Sequence, residues 1–162
     1  MESILLLIPI LLLASSIIIG LSSDSLNKFY SGIISTSLVF SSLILSIIVL
    51  IKIYSSNDEI YYDNFYDWIS INGLNIGIGY LIDKFSSIML VVVLFISFVV
   101  HVYSIGYMKH EEGFKRFFSY IALFTFSMIL LVMSNNLIQL FIGWEGVGLV
   151  SYLLIGFFYK KS

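Results

Sequence analysis

The sequence predicts an all-α integral membrane protein: five transmembrane helices, with a short β-hairpin in the outer loop between helices two and three. Three observations carry this. Of 162 residues, 59% are hydrophobic and 11% charged, where an average soluble domain has about 25% charged residues; the mean hydropathy is +1.03. The apolar residues fall into runs long enough to cross the ~30 Å hydrocarbon core, which takes about 20 residues at 1.5 Å each. The basic residues, finally, segregate to alternate connections. The same composition excludes a water-soluble globular domain and a disordered chain. With no cysteine there is no disulfide framework, thiolate metal site or cysteine nucleophile. A net charge of −2 offers no basic surface for nucleic acid. The length suits one membrane unit, residues 1–162.

The first span, 4–21, is a charge-free run with Pro9 in its early turns, where a missing N–H does least harm. Glu2 stands where a signal peptide would carry basic residues, and no small-x-small cleavage site follows, so a retained helix is expected. The second span, 29–54, is charge-free from Phe29 to Ile51 and is closed by Lys52, whose ammonium can snorkel to the interface. Its serines (Ser31, Ser35, Ser37, Ser41, Ser42 and Ser46) can bond back to their own helix or across to a neighbour.

Residues 55–83 form the one substantial polar loop, with Asp58, Glu59, Asp63 and Asp67 among Tyr61, Tyr62, Tyr66 and Trp68. Such aromatics belong at the headgroup level. Asn72-Gly73 suits a type I′ turn. The flanks 68–71 and 74–78 alternate with period two, so a short hairpin lying on the membrane surface is expected. The third span, 85–108, lacks Asp, Glu, Lys and Arg. From Phe117 to Tyr159 there is one charge, Glu145, in a stretch twice the length of a crossing. Ser134-Asn135-Asn136 marks the turn that divides it into spans 117–133 and 137–159.

With five spans, Lys28, Lys109, Lys115, Arg116, Lys160 and Lys161 all fall on one side, and only Lys52 and Lys84 on the other. The positive-inside rule then puts the N-terminus and hairpin outside and the C-terminus inside.

Glu145 has no place in this topology. It lies about nine residues past Asn136, roughly 13–14 Å along its helix and near mid-membrane. A charged residue at a helix centre costs about 2.5–3.5 kcal/mol on insertion scales. A carboxyl at that depth must keep its proton or find a cation, and a group able to do either is what a proton relay requires. Gly143, Gly146 and Gly148 bracket it, and their missing side chains let a backbone or water come close. Trp144, also near mid-depth, needs a partner for its N–H. Thr125 and Ser127 in span four are candidates for a hydrated path, with backbone bonding the alternative. His101, about 25 Å along its span from Lys84, is expected to be a satisfied histidine near the inner interface. His110 falls in the inner loop, and two histidines so separated predict no metal site. Asp83-Lys84 is expected to orient the outer end of span three. No lysine or arginine lies at mid-depth in any span, so a relay through Glu145 calls for a partner on another polypeptide.

The run Phe141-Ile142-Gly143-Trp144-Glu145-Gly146-Val147-Gly148-Leu149-Val150-Ser151-Tyr152-Leu153-Leu154-Ile155-Gly156-Phe157 closely resembles chain 5 of NADH:ubiquinone oxidoreductase, respiratory complex I. Supporting it are Tyr103-Ser104-Ile105-Gly106-Tyr107-Met108, Arg116-Phe117-Phe118, Leu123-Phe124-Thr125-Phe126-Ser127-Met128 and Ser134-Asn135-Asn136-Leu137. Leu81-Ile82-Asp83-Lys84-Phe85-Ser86-Ser87-Ile88-Met89-Leu90 also looks like the family's approach to its third helix. The likeness is specific from about Tyr80 to Phe158 and only topological before that.

The resemblance implies an antiporter-like, proton-translocating subunit of the membrane arm, part of an H+-translocating NADH:ubiquinone reductase. It implies that the acid matching Glu145 pairs with a lysine on the seventh helix. This sequence stops after the fifth helix, so the expectation is a split subunit, a second chain supplying the lysine and the remaining helices. Flavin, iron–sulfur clusters and ubiquinone are expected elsewhere in the complex, with no cofactor or metal in this chain and membrane lipids around it. The richness in Ile, Phe, Tyr, Asn and Ser points to an organellar genome. The expected location is therefore the mitochondrial inner membrane, N-terminus in the intermembrane space and C-terminus in the matrix. Two alternatives stay open: a subunit of a multi-subunit cation/proton antiporter, and a structural helix module in which Glu145 only bonds a neighbour.

Overall fold

A computed structural model describes residues 2–22, 27–55, 60–71 and 74–158, with residues 2, 67–71, 74–76 and 158 described at the backbone only. Among the described residues five helices are long and apolar enough to cross a membrane, the number expected: α1 (Glu2–Leu21), α2 (Lys28–Ser55), α3 (Lys84–Tyr107), α4 (Phe114–Val132) and α5 (Leu137–Ile155). The chain is a multi-pass membrane protein. A two-stranded antiparallel sheet, β1 (Ile60–Ile71) with β2 (Leu74–Asp83), joins α2 to α3, and one 3-10 turn, Gly156–Phe158, follows α5.

The helix ends follow local chemistry. Asp83 caps α3: its carboxylate accepts the Ser86 N–H at 2.7 Å while the Ser86 hydroxyl accepts the Asp83 N–H at 2.8 Å. This reciprocal capping box satisfies two otherwise orphaned donors. Asn136 caps α5 by accepting the Gln139 N–H at 2.9 Å. Helix α4 begins three residues before the predicted span because its cations reach sideways to stay at the helix end. Lys115 Nζ donates to the Ser22 carbonyl at 3.1 Å, and the Arg116 guanidinium lies 5.4 Å from the Phe157 ring centroid. Lys28 Nζ likewise donates to the Glu111 carbonyl at 3.0 Å. These contacts gather Lys28, Lys115 and Arg116 at one end of the bundle, opposite the hairpin. Lys160 and Lys161 lie outside the described residues.

Helix α2 packs along α3, α1 lies against both α2 and α4, and α5 packs chiefly on α4. Two apolar clusters fill the interior. The larger, near the hairpin, includes Leu5, Ile8, Leu12, Leu43, Ile53, Leu90, Leu94 and Ile129. The smaller, at the basic end, joins Ile19, Met108, Phe114 and Phe118. Between them lies a layer of hydroxyls. Ser15 and Ser35 share a hydrogen bond at 2.9 Å, the Ser16 hydroxyl donates to the Ser119 carbonyl at 3.0 Å, and Ser97 meets Thr125 at 2.6 Å. Lipid tails are as apolar as leucine, so such helices associate through close packing and hydrogen bonds averaging about 0.6 kcal/mol each. The serines of α2 divide as expected: Ser35 bonds across to α1, while Ser37 and Ser41 bond back to their own helix.

The expected hairpin between α2 and α3 is present, with longer strands than the alternation alone marked. Pairing runs from Ile60↔Asp83 to Ile71↔Leu74, with irregularities between Asn64 and Tyr66 and between Asp67 and Ile69; the Asn72-Gly73 turn lies outside the described residues. Strand β2 closes the end of the bundle, with Tyr80 and Ile82 buried in the larger cluster. The reason is tertiary. Leu81 N–H donates to the Met133 carbonyl at 3.0 Å, and the Asn136 amide donates to the Gly77 carbonyl at 2.6 Å. The Gln139 carboxamide pairs with the Gly79 peptide, accepting its N–H at 3.1 Å and donating to its carbonyl at 2.9 Å. Gly79 is required there, because a Cβ would collide with the Asp63 carbonyl and the Asn135 amide.

Candidate functional site: an outward-facing carboxyl on the fifth helix

The hairpin clamp fixes the start of α5, and two glycines fix its face. A Cβ at Gly143 would lie 2.8–3.0 Å from the backbone N, Cα and Cβ of Leu131, and one at Gly146 would lie 2.7 Å from Ser127 Oγ. Three residues apart, these glycines share one side of the helix, and along that side α5 lies directly on α4. Only residues without a side chain permit so close an approach.

Glu145 lies between them and so points elsewhere. It is exposed, as are Trp144 and Gly148, and a Cβ at Gly148 would meet nothing within 4 Å. Phe141, Leu149 and Tyr152 extend the same uncovered face, at 60%, 60% and 76% exposure. Counting from Leu137, the carboxyl is eight residues into the helix, about 12 Å along it. Among the described residues no hydrogen bond or ion pair reaches it. The glycines thus divide into two roles. Gly143 and Gly146 seat the helix, while Gly148 leaves open space beside the acid.

Thr125 and Ser127 serve different neighbours. Thr125 donates to the Ile121 carbonyl at 2.9 Å and meets Ser97 of α3. Ser127 donates to the Leu123 carbonyl at 3.0 Å and lies against Gly146 of α5. Two residues apart on a helix, they face nearly opposite ways, so they do not share one file.

His101 is a correction to the sequence reading. It is fully buried rather than interfacial; its Nδ1 lies 2.8 Å from the Ser97 carbonyl, and Nε2 has no hydrogen-bond partner among the described residues. Counting along a helix gives depth but not facing. The signal lay in the spacing of Ser87, Leu90, Leu94, Ser97, His101 and Ser104, alternately three and four apart, which are the buried residues of α3.

Residues 68–118 match the family model described as NADH-ubiquinone oxidoreductase (complex I), chain 5 N-terminus. Residues 134–162 match NADH:quinone oxidoreductase/Mrp antiporter, TM, a stretch that contains Glu145. The chain is 46% identical over 157 residues to NADH-quinone oxidoreductase subunit L of Neisseria meningitidis, covering 96% of this chain and 23% of that protein. It is 41% identical over 161 residues to subunit L of Rickettsia bellii, covering 99% and 25%. It is 42% identical over 161 residues to the chloroplastic NAD(P)H-quinone oxidoreductase subunit 5 of Chaetosphaeridium globosum, covering 93% and 23%. Spanning about a quarter of the length of the curated relatives it matches, the chain belongs to the antiporter-like chain 5 (subunit L) family of NADH:quinone oxidoreductases.

Proposed function

We propose that this chain is part of a proton-translocating subunit in the membrane arm of an NADH:quinone oxidoreductase, with Glu145 as its proton-transfer residue. The observation that carries the reading is the facing of Glu145: a mid-helix carboxyl turned away from its own bundle, beside a glycine that leaves room for something to approach. A cation from outside the five helices, the lysine that the resemblance assigns to the family's seventh helix, meets it there. Glu145 is ionised while that cation is near and takes up a proton when the pair separates, so a charge arriving on one partner is passed on as a proton from the other. The acid is cheap to hold at this depth only while it is paired or protonated.

In this reading flavin, iron–sulfur clusters and quinone belong to other subunits, in keeping with a sequence that has no cysteine to ligate a cluster. Trp144 shields one flank of the carboxyl, and lipid or neighbouring membrane-arm subunits cover Phe141, Leu149 and Tyr152. The basic end faces the compartment where positive charge is retained. The compositional bias supports the mitochondrial inner membrane, with the basic end in the matrix.

The test is Glu145→Gln, assayed in membrane vesicles of the assembled complex. Assembly should be retained and proton translocation driven by NADH oxidation should fall severalfold; full translocation in that variant overturns the assignment. A second reading, a subunit of a multi-subunit cation/proton antiporter, is favoured by one observation: the family matching residues 134–162 is described for both kinds of protein. Co-purification with flavin and iron–sulfur proteins separates the two.

A further inference from the structure

We infer that His101 is a second proton-holding site of this chain, at a different depth from Glu145 and served by water. The hydrogen bonds around it leave one assignment. The Ser97 carbonyl can only accept, so the 2.8 Å contact fixes the proton of the neutral ring on Nδ1. Thr125 donates its hydroxyl to the Ile121 carbonyl, so in the 2.6 Å contact Ser97 donates to Thr125. Ser97 Oγ, at 3.4 Å from Nδ1, is then at most a second acceptor for the same N–H. Every donor in the group is thereby used, and Nε2 is left as a bare lone pair inside the bundle.

A buried polar atom left without a hydrogen bond forfeits what water would have given it. What can satisfy this one is limited by its burial. His101 is 0% exposed, so no side chain from a neighbouring subunit can reach it. The remaining candidates are a water molecule, which donates to Nε2, and a proton, which binds it outright. The ring also packs edge-on against Phe118, with the centroids 5.8 Å apart. The titratable groups of the elements packed against α3 stand at their ends. On α2 these are Lys28, Tyr30, Lys52 and Tyr54; on α4 Lys115, Arg116 and Tyr120; on β2 Tyr80 and Asp83. None of them bonds to the imidazole among the described contacts.

In the proposed step a hydronium ion, or a water hydrogen-bonded to a proton donor, breaks an O–H bond. The Nε2 lone pair forms the new N–H bond, Nδ1–H stays on the Ser97 carbonyl, and the products are imidazolium and water. Release reverses the same step. His101 lies six residues before the end of α3 at Tyr107, about 9 Å from the basic end, whereas Glu145 is about 12 Å from the hairpin end. The inference rests on α3 and α4 alone and stands whether or not Glu145 carries protons.

The chain has two histidines, one buried and one exposed, which makes a direct test practical. The full chain, labelled with ring-15N histidine, is placed in lipid bilayers for solid-state NMR, with an aqueous paramagnetic ion to quench His110. The expected surviving ring has a protonated Nδ1 and an unprotonated Nε2 that exchanges magnetisation with water. As the pH is lowered from about 8 to about 4 the unprotonated signal should be lost, and it should return on reversal. A ring protonated on Nε2 overturns the inference. So does one whose unprotonated nitrogen shows neither contact with water nor loss on acidification.

Discussion

Alanine at Gly143, compared with alanine at Gly148, tests the seating of α5 on α4. The two substitutions gain the same helix propensity, about 1 kcal/mol, so their difference isolates what the new methyl meets. At Gly148 it meets nothing within 4 Å. At Gly143 it would stand 2.8–3.0 Å from Leu131, where carbon atoms pack best at about 3.5–4.0 Å, so α5 must retreat by roughly 0.5–1 Å. Two of the three obstructing atoms belong to the backbone of α4 and cannot rotate away. A gap of that size forfeits a quarter to a half of each dispersion contact along the interface, in line with the typical 1–3 kcal/mol cost of overpacking. Gly143→Ala should therefore be less stable than Gly148→Ala by about 1–3 kcal/mol, measured by reversible denaturation of the full chain in mixed micelles. Equal stabilities for the two variants would refute the packing argument, and with it the reason given for the facing of Glu145.

Other expectations follow from single contacts. Gly146→Ala should fall between those two, because the atom it displaces is the hydroxyl of Ser127, which can rotate at the loss of one hydrogen bond worth about 0.5–1.5 kcal/mol. Gln139→Leu should free the buried Gly79 peptide and cost about 1–3 kcal/mol, read as faster amide exchange along β2 while exchange in mid-α3 is unchanged. Asp83→Ala should cost about 0.5–2 kcal/mol at neutral pH. Bonds from the Ser86 N–H and hydroxyl hold the Asp83 carboxyl below the ordinary carboxylate range. Its contribution is therefore complete above about pH 3.9 and is lost as the pH falls through the lower, folded-state value. The stability gap between parent and Asp83→Ala should close only in strong acid; a gap that closes near neutrality would rule out the cap as its source.

The spans were legible because runs of apolar residues and the position of charge are one-dimensional properties. The turn at Ser134-Asn135-Asn136 was legible for the same reason, its chemistry being local; of Asp83-Lys84 only an orienting role was read, and the cap that Asp83 forms emerged from the structure. The hairpin's true length was not. Its outer pairs are held by Met133, Asn136 and Gln139, more than fifty residues away, which no local alternation announces. The depth of Glu145 could be counted, but its facing could not. Helix α5 is apolar on every side, so no polar stripe marks an outside, and the seating is set by which glycine meets Leu131 and which meets Ser127. His101 shows the same failure: its depth, toward the Tyr107 end of α3, could be counted, but its face is disclosed only by the three-four spacing of its neighbours.

The fit of Gly143 against the Leu131 backbone also limits how the fifth helix can move. Rolling α5 about its own axis by one residue, roughly 100°, would swing Trp144 or Ile142 into a gap that will not admit even a methyl group. Concerted rotation of this rod is therefore blocked, and under the proposed function any change in the acid's approach to a cation must be a swing of the glutamate's own torsions or a displacement of the opposing surface. On that reading only a few atoms move, on a stationary post.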